Sequence, residues 1–382
     1  MPSRTVDVVA AGPPSSDPYD PASTAWTLAG ALAARGDAVV VLHPSGVPGD
    51  PPPPGTTAVP VDLPVRRPGA AVEGADYAAA AARRLRREAD LVLRDPAGLG
   101  RLAPHRARSG APVIAAFVRG IELDAFDRER VGRPGSGFRQ RFDTWRDRRA
   151  VRRFEEAALR EADRLFYDSA HLPTELVREY GLSERRFRAA LPPVPILPAA
   201  PTREEARASF RIPADVPVVV APAAFDRPEP SGIDRAREAF RRVRSFFPGA
   251  RLIVVGTDAP AEPGVAAAPE RDGATLVRAL TAADVAVFGR RVVGFDPGVI
   301  LALRAGRCVI VGPEVRLPVD PSAVVRTLSS EDAGEFASVL AEVLADPATR
   351  RATATDGARY AAAFAPDRVA DVVTAQTSPE RG

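Results

Sequence analysis

The sequence predicts two successive α/β domains, each built on a parallel sheet. Strand-like and helix-like patterns alternate along nearly the whole chain. The alternation stops at a proline-rich stretch, Leu191–Pro201, and then restarts. A length of 382 residues is too great for one ordinary domain and suits two.

In the first half, the apolar run Val6–Ala10 is bounded by Gly12, Pro13 and Pro14 and reads as a buried strand. Trp26, Leu28, Leu32 and Ala33 recur at helical spacing over Ser23–Ala34, and Gly36 ends that helix. Val39–Leu42 is the next strand, and a strand–helix–strand unit implies parallel pairing. Pro48–Gly55 is a surface loop. Tyr77–Arg87 reads as helix, Leu91–Leu93 and Val113–Phe117 as strands, and Val131–Gly137 as a Gly/Pro/Arg break. An arginine-rich helix follows over Arg139–Glu161, then a strand at Leu165–Tyr167 and a helix at Leu172–Tyr180 that Gly181 closes.

In the second half, strands are expected at Val216–Ala221, Arg251–Val255, Val285–Phe288 and Cys308–Val311. Helices are expected at Asp234–Phe246, Ala274–Ala282, Val299–Ala305, Ser330–Leu344 and Ala348–Phe364, the last ending at Pro366. The expected domains are residues 1–190 and 202–364, joined by a linker at 191–201 and followed by a tail at 365–382.

Composition narrows the chemistry. All 52 Lys+Arg positions are arginine, so no lysine is present as a Schiff-base amine or phosphate-binding point charge. Any anion is held by arginine, backbone amides or helix N-termini. A net charge of +3 is too weak to argue for nucleic acid. Arg146, Arg148, Arg149, Arg152 and Arg153 read as a solvated helix face rather than a binding surface. Trp145 and Phe142 on the same helix are expected to pack on the domain, with docking to a membrane or partner as the alternative.

The lone Cys308 excludes an internal disulfide and reads as a buried thiol. His43, His105 and His171 lack metal-ligand spacing, so neither a metal nor a bound cofactor is expected. The chain starts directly in a strand and has no apolar run long enough to span a bilayer, so a cytoplasmic protein is expected. No G-x-G-x-x-G follows the first strand, which argues against a dinucleotide enzyme. No G-x-S-x-G elbow is present either, which argues against serine hydrolysis.

The run Ala283-Asp284-Val285-Ala286-Val287-Phe288, then Val293-Gly294-Phe295, then Ala302 through Ile310, resembles a donor-site signature. That signature belongs to retaining glycosyltransferases of family 4 (group 1). Phe154–Glu156 through Ser169, Gly232–Asp234 through Gly256, and Leu344–Pro347 resemble other stretches of the family in the same order. The resemblance implies a GT-B fold, with two facing Rossmann-like domains and a cleft between them. It also implies sugar transfer from a nucleotide-sugar donor, a substrate rather than a cofactor, to a carbohydrate or small-molecule acceptor.

Against the family pattern most of the charged donor residues are missing. The two glutamate positions are Val293 and Leu301, and the lysine position is Ser231, just before Gly232. The resemblance makes Arg227 the candidate for the family arginine, and Arg290 and Arg291, in the loop beside the donor, are candidates to neutralise a diphosphate, with both side chains in solvent as the equal alternative. Gly298 precedes a short helix whose amides are candidates for an anion. The donor-side candidates are therefore Arg227, Ser231, Gly232, Arg290, Arg291, Val293, Gly294, Phe295, Gly298 and Leu301.

On the acceptor side, Tyr19 and Asp20 follow the first strand, Arg119 replaces a family histidine, and Glu122 follows it. An Asp/Pro turn explains Tyr19 and Asp20 equally well, and a lone glutamate is more often solvated. No residue is singled out as catalytic. Three readings stay open: a divergent active glycosyltransferase, a catalytically silent partner or binding subunit of an active one, and, least favoured, another two-domain α/β enzyme such as an epimerase of GT-B fold.

Overall fold

A computed structural model describes residues 3–15, 22–62, 70–98, 100–102, 112–124, 126, 138–222, 232–258, 262–289, 295–313, 315, 317, 322–330 and 332–378. For 70–72 and 138–143 the backbone alone is described. The chain divides into two compact units, each built on a parallel sheet.

In the first unit the strands are β1 (Thr5–Ala10), β2 (Ala38–Pro44), β3 (Thr56–Val61), β4 (Leu91–Asp95), β5 (Val113–Val118), β6 (Arg164–Tyr167) and β7 (Phe187–Ala189). They lie side by side in the order β3-β2-β1-β4-β5-β6-β7. Helices α1 (Ser23–Ala34), α2 (Ala70–Ala82), α3 (Phe138–Glu161) and α4 (Leu172–Tyr180) belong to this unit. Gly181 ends α4 at φ 61°, a left-handed turn that donates its N–H to Val177 O.

The second unit starts at Val194. Its strands β8 (Val218–Pro222), β9 (Arg251–Val255), β10 (Val265–Ala268), β11 (Val285–Phe288), β12 (Cys308–Val311) and β13 (Val325–Thr327) are ordered β10-β9-β8-β11-β12-β13. Its helices are α5 (Arg203–Ser209), α6 (Gly232–Val243), α7 (Gly273–Ala282), α8 (Pro297–Arg304), α9 (Ala333–Ala345) and α10 (Pro347–Ala361). Interior strands such as β8, β11 and β12 are buried along their whole length, which is why they read as unbroken apolar runs. Cys308 is buried in β12 as a free thiol.

One device recurs at the amino end of both sheets. An aspartate immediately before a strand accepts a backbone N–H at or next to the start of the neighbouring strand. Asp37 takes Arg4 N (3.1 Å), Asp90 takes Thr5 N (2.8 Å), Asp163 takes Ile114 N (2.9 Å) and Asp284 takes Val218 N (2.8 Å). Each bond satisfies a donor that the ladder leaves unpaired and pins the register of two strands. The Ala-Asp pairs that carry part of the family resemblance, Ala162-Asp163 and Ala283-Asp284, are thus fold determinants at the end away from the carboxyl edge.

Residues 366–378, expected as part of a tail, form helix α11 (Pro366–Thr377) and belong to the first unit. Val369, Ala370 and Val373 enter the core that contains Trp26, Leu28 and Leu32 of α1. Arg4 donates to Thr377 Oγ1 at 3.2 Å, and Arg35 pairs with Asp371. Apolar positions at i, i+1 and i+4 supply the reason, since such a stripe must be covered. Two residues of the expected linker are fixed in the second unit. Val194 N bonds to Phe364 O at 3.1 Å, and Arg304 of α8 donates to Pro195 O at 2.8 Å.

The centre of β1 carries a fully buried carboxylate, Asp7. Arg86 neutralises it through Nε (2.5 Å) and its backbone N–H (2.7 Å), and also donates to Val6 O and Ala38 O. Arg86→Ala leaves that charge uncompensated, and a loss of about 3 kcal/mol in urea unfolding is expected.

Candidate functional site

Parallel α/β sheets take ligands at the carboxyl ends of their strands, next to the point where strand order reverses. In the first unit that point lies between β1 and β4. Asp95 is the last residue of β4, Arg119 follows β5, and Asp168 follows β6. Three adjacent strands therefore end in charged side chains at one edge.

Asp95 is fully buried, and both its oxygens accept from Arg119: Nε to Oδ1 and Nη2 to Oδ2, each at 2.8 Å. The pair is a bidentate fork, the strong form of an arginine–carboxylate contact. The Arg119 guanidinium also stands 5.8 Å from the Phe117 ring centre. Asp168 is 9% exposed. Burial pushes its pKa up to about 6, with the Arg119 charge pulling the other way. Its Oδ2 meets no hydrogen-bond donor among the described residues.

A second buried carboxylate supports the turn after β5. Glu155 of α3 accepts from Glu122 N (2.7 Å), Leu123 N (3.1 Å) and the Tyr180 hydroxyl. Burial pushes its pKa up to about 7, against the pull of these donors. Glu122 contributes its backbone to this arrangement, and its side chain is exposed.

In the second unit the carboxyl edge is built from the end of β11 and the starts of α6 and α8. Gly289 follows β11, and a Cβ there would lie 2.7 Å from Gly232 O and 3.2 Å from the Phe336 ring. The missing side chain lets the N-terminus of α6 close onto the strand end. Gly289→Ala forces that contact apart and is expected to cost roughly 1–3 kcal/mol in urea unfolding.

At the start of α8, Asp296 is fully buried and accepts the Gly298 N–H at 2.8 Å. The Gly298 amide, expected to be open to an anion, is already bonded to an internal carboxylate. Phe295 stacks on Phe364, with centroids 5.7 Å apart and planes 13° apart. Leu301 is 2% exposed, inside the run Val299–Leu303 that buries α8.

Of the expected site residues, the structure brings Arg119 into the charged edge of the first sheet and Gly232 to the carboxyl edge of the second. Phe295 and Leu301 are committed to packing. Tyr19, Asp20, Arg227, Ser231, Arg290, Arg291, Val293 and Gly294 lie outside the described residues, as does the Val131–Gly137 break. Asp95 and Asp168 were not singled out by the sequence. Their signal is an aspartate directly after an apolar strand, in Leu91-Val92-Leu93-Arg94-Asp95 and Leu165-Phe166-Tyr167-Asp168.

Elsewhere on the first unit, Trp145 does not pack into the domain. It is 55% exposed, with Arg149 over its ring at 5.7 Å. The Phe142 side chain lies outside the described residues. Arg146, Arg148, Arg149, Arg152 and Arg153 are exposed, as a solvated face requires. A recess of about 600 Å³ lined by Ala75, Gly100, Arg101, Arg153, Glu156 and Arg160 involves α2 and α3 and none of the charged edge residues. Among the described residues no cluster of His, Cys, Asp or Glu has metal-binding geometry. No helix among them is long and apolar enough to cross a bilayer.

Residues 22–196 match the model of Glycosyltransferase Family 4. No curated protein sequence matches the chain. Among solved structures, the chain is similar to WaaG, a glycosyltransferase involved in lipopolysaccharide biosynthesis, at 20% identity and TM-score 0.71, covering 97% of this chain and 99% of that one. It is similar to sucrose-phosphate synthase from Thermosynechococcus elongatus at 18% identity and TM-score 0.68, covering 98% of each chain. It is also similar to Anabaena HepE in complex with UDP and glucose, at 13% identity and TM-score 0.65, covering 98% and 99%. At these identities the likeness is one of fold. The two parallel-sheet Rossmann-like domains are those of the GT-B glycosyltransferases.

Proposed function

We propose that this chain, with its Glycosyltransferase Family 4 match and GT-B fold, transfers a sugar from a nucleotide-sugar donor to a hydroxyl-bearing acceptor. The observation that carries the reading is the family match over 22–196, in a chain that runs the full length of solved glycosyltransferases. On this reading the second unit holds the donor and the first unit the acceptor. The diphosphate is met by Arg227, Arg290 and Arg291, because the chain has no lysine to do so. Well-placed groups of this kind are each worth roughly 3–4 kcal/mol of transition-state stabilisation.

The second reading, a catalytically silent partner of an active glycosyltransferase, has its own support. Asp296 engages the Gly298 amide at the start of α8 with its carboxylate, and Leu301 is buried where the family has a glutamate. An apolar group against the donor's ribose leaves each unpaired hydroxyl at a cost of roughly 1–3 kcal/mol.

Calorimetric titration of the full chain with UDP, GDP, ADP and their sugar derivatives tests the first reading. Saturable binding of at least one nucleotide is expected, and its absence at millimolar concentration rules the reading out. Sugar transfer by the isolated chain eliminates the silent-partner reading. Co-purification with a second glycosyltransferase, without transfer by the chain alone, supports it.

A further inference from the structure

We infer that the ends of β4, β5 and β6 form a subsite for an uncharged hydroxyl group, with Asp168 Oδ2 as the hydrogen-bond acceptor that holds it. The placement follows from register. Arg94 pairs with Ala116, and Val118 pairs with Tyr167. Asp95, Arg119 and Asp168 therefore leave neighbouring strands at the same carboxyl edge, where sheets of this type meet their ligands.

Charge decides what that edge accepts. Arg119 spends its Nε–Nη2 edge on Asp95, so the positive charge it brings to this edge is already balanced by a carboxylate. Asp168 adds a second carboxylate beside the pair, and the three ionised groups sum to one negative charge. That sum repels an anion and leaves a neutral hydroxyl unaffected. Asp168 is more than nine-tenths buried, and its Oδ2 meets no donor among the described residues. Buried carboxylate oxygens without a donor are uncommon in folded chains, and a ligand hydroxyl supplies the donor this one lacks. The neighbouring Ser169 hydroxyl is engaged with His171 Nδ1 at 2.5 Å. The other charged groups that act on Asp168 are Arg119, Asp95 and His171.

The identification of this hydroxyl as the acceptor's rests on the sugar-transfer reading, and the acceptor is then a sugar or polyol with no anionic group beside the bound hydroxyl. The subsite itself is tested without turnover. The full chain is titrated with methyl α-D-glucopyranoside, and with glucose 6-phosphate as the charged counterpart, by saturation-transfer NMR. At about pH 8 the glucoside is expected to bind saturably and the phosphate at least about tenfold more weakly. Asp168→Asn is expected to weaken glucoside binding about tenfold or more while leaving UDP binding unchanged. Wild-type glucoside affinity is expected to fall as pH drops through about 6 and Asp168 takes up a proton, and that of Asp168→Asn to stay flat.

A structural role is separated by melting temperature. Asp168→Asn removes a buried charge, so at about pH 8 it is expected to melt no lower than wild type. The inference is overturned if wild type shows no saturable glucoside binding or prefers the phosphate. It is equally overturned if Asp168→Asn binds the glucoside as wild type does, or melts well below it. Absence of UDP binding with the glucoside results intact sinks the transfer reading and leaves the subsite standing.

Discussion

The chain is expected to lose stability as pH rises from about 5 to about 8, the reverse of the usual trend for paired carboxylates. Glu155 and Asp168 are responsible. Burial raises Glu155 to about 7 against the donors from Tyr180, Glu122 and Leu123, and raises Asp168 to about 6 against Arg119. A carboxyl whose pKa is higher in the folded than in the unfolded state keeps its proton better when folded. Its contribution is therefore complete below the unfolded value and is lost as pH rises through the folded value. For Glu155 the window runs from about 4.5 to about 7, and for Asp168 from about 3.8 to about 6. Each shift corresponds to about 3 kcal/mol.

At the acid end other groups act in the opposite sense. Hydrogen bonds from the side chains and amides of Ser330 and Ser329 hold Glu335 down at about 2, so its contribution is lost as pH falls below about 4.5. The stability maximum is accordingly expected near pH 5, by the same linkage. Urea midpoints across the pH range check it. Glu155→Gln and Asp168→Asn should each flatten the slope above pH 5, whatever they do to the absolute midpoint. A wild-type midpoint that climbs from pH 5 to pH 8 contradicts the account.

Asp284→Ala is expected to loosen the second unit by about 3 kcal/mol. Asp284 Oδ2 accepts from Val218 N (2.8 Å) and from Arg207 (3.1 Å), while Oδ1 accepts from Arg203 (2.5 Å). The Arg207 guanidinium is nearly fully buried, and its remaining donors are spent on the carbonyls of Ala282, Pro213 and Ala214. Removing the carboxylate strands that charge and orphans the N–H that opens β8. The Asp284 side chain is itself 18% exposed, which places the loss at the lower end of the range for buried pairs. Asp284→Asn keeps an acceptor for Val218 and should lose only about half as much. Both tryptophans, Trp26 and Trp145, lie in the first unit, so tryptophan fluorescence does not report on this one. Hydrogen exchange of the β8 amides does, and unchanged protection there would refute the assignment.

The sequence made the sheet interiors legible and left the edges unread. Every interior strand of both sheets coincides with a segment expected from its apolar run. The strands that went unrecognised are β3, β7, β10 and β13, the four sheet edges. Edge strands face solvent on one side, so they are short and chemically mixed; β3 carries Pro60, and β10 is Val-Ala-Ala-Ala. Helix α11 was missed for a related reason. Pro366 marks a stop, and the stripe Val369, Ala370, Val373 is too short to announce itself without the surface it covers. At the candidate site, Arg119 was legible because it stands at a family position. Asp168 was not, because its meaning lies in burial and in the lack of a donor at Oδ2, which sequence spacing does not encode.

The most direct test of nucleotide-sugar use is a crystal structure of the full chain soaked with UDP or GDP. The account predicts a bound nucleotide at the carboxyl edge of the second sheet, near Gly232 and Gly289, with its phosphates met by Arg227, Arg290 or Arg291. A site without nucleotide, or a nucleotide bound far from that edge, would contradict it.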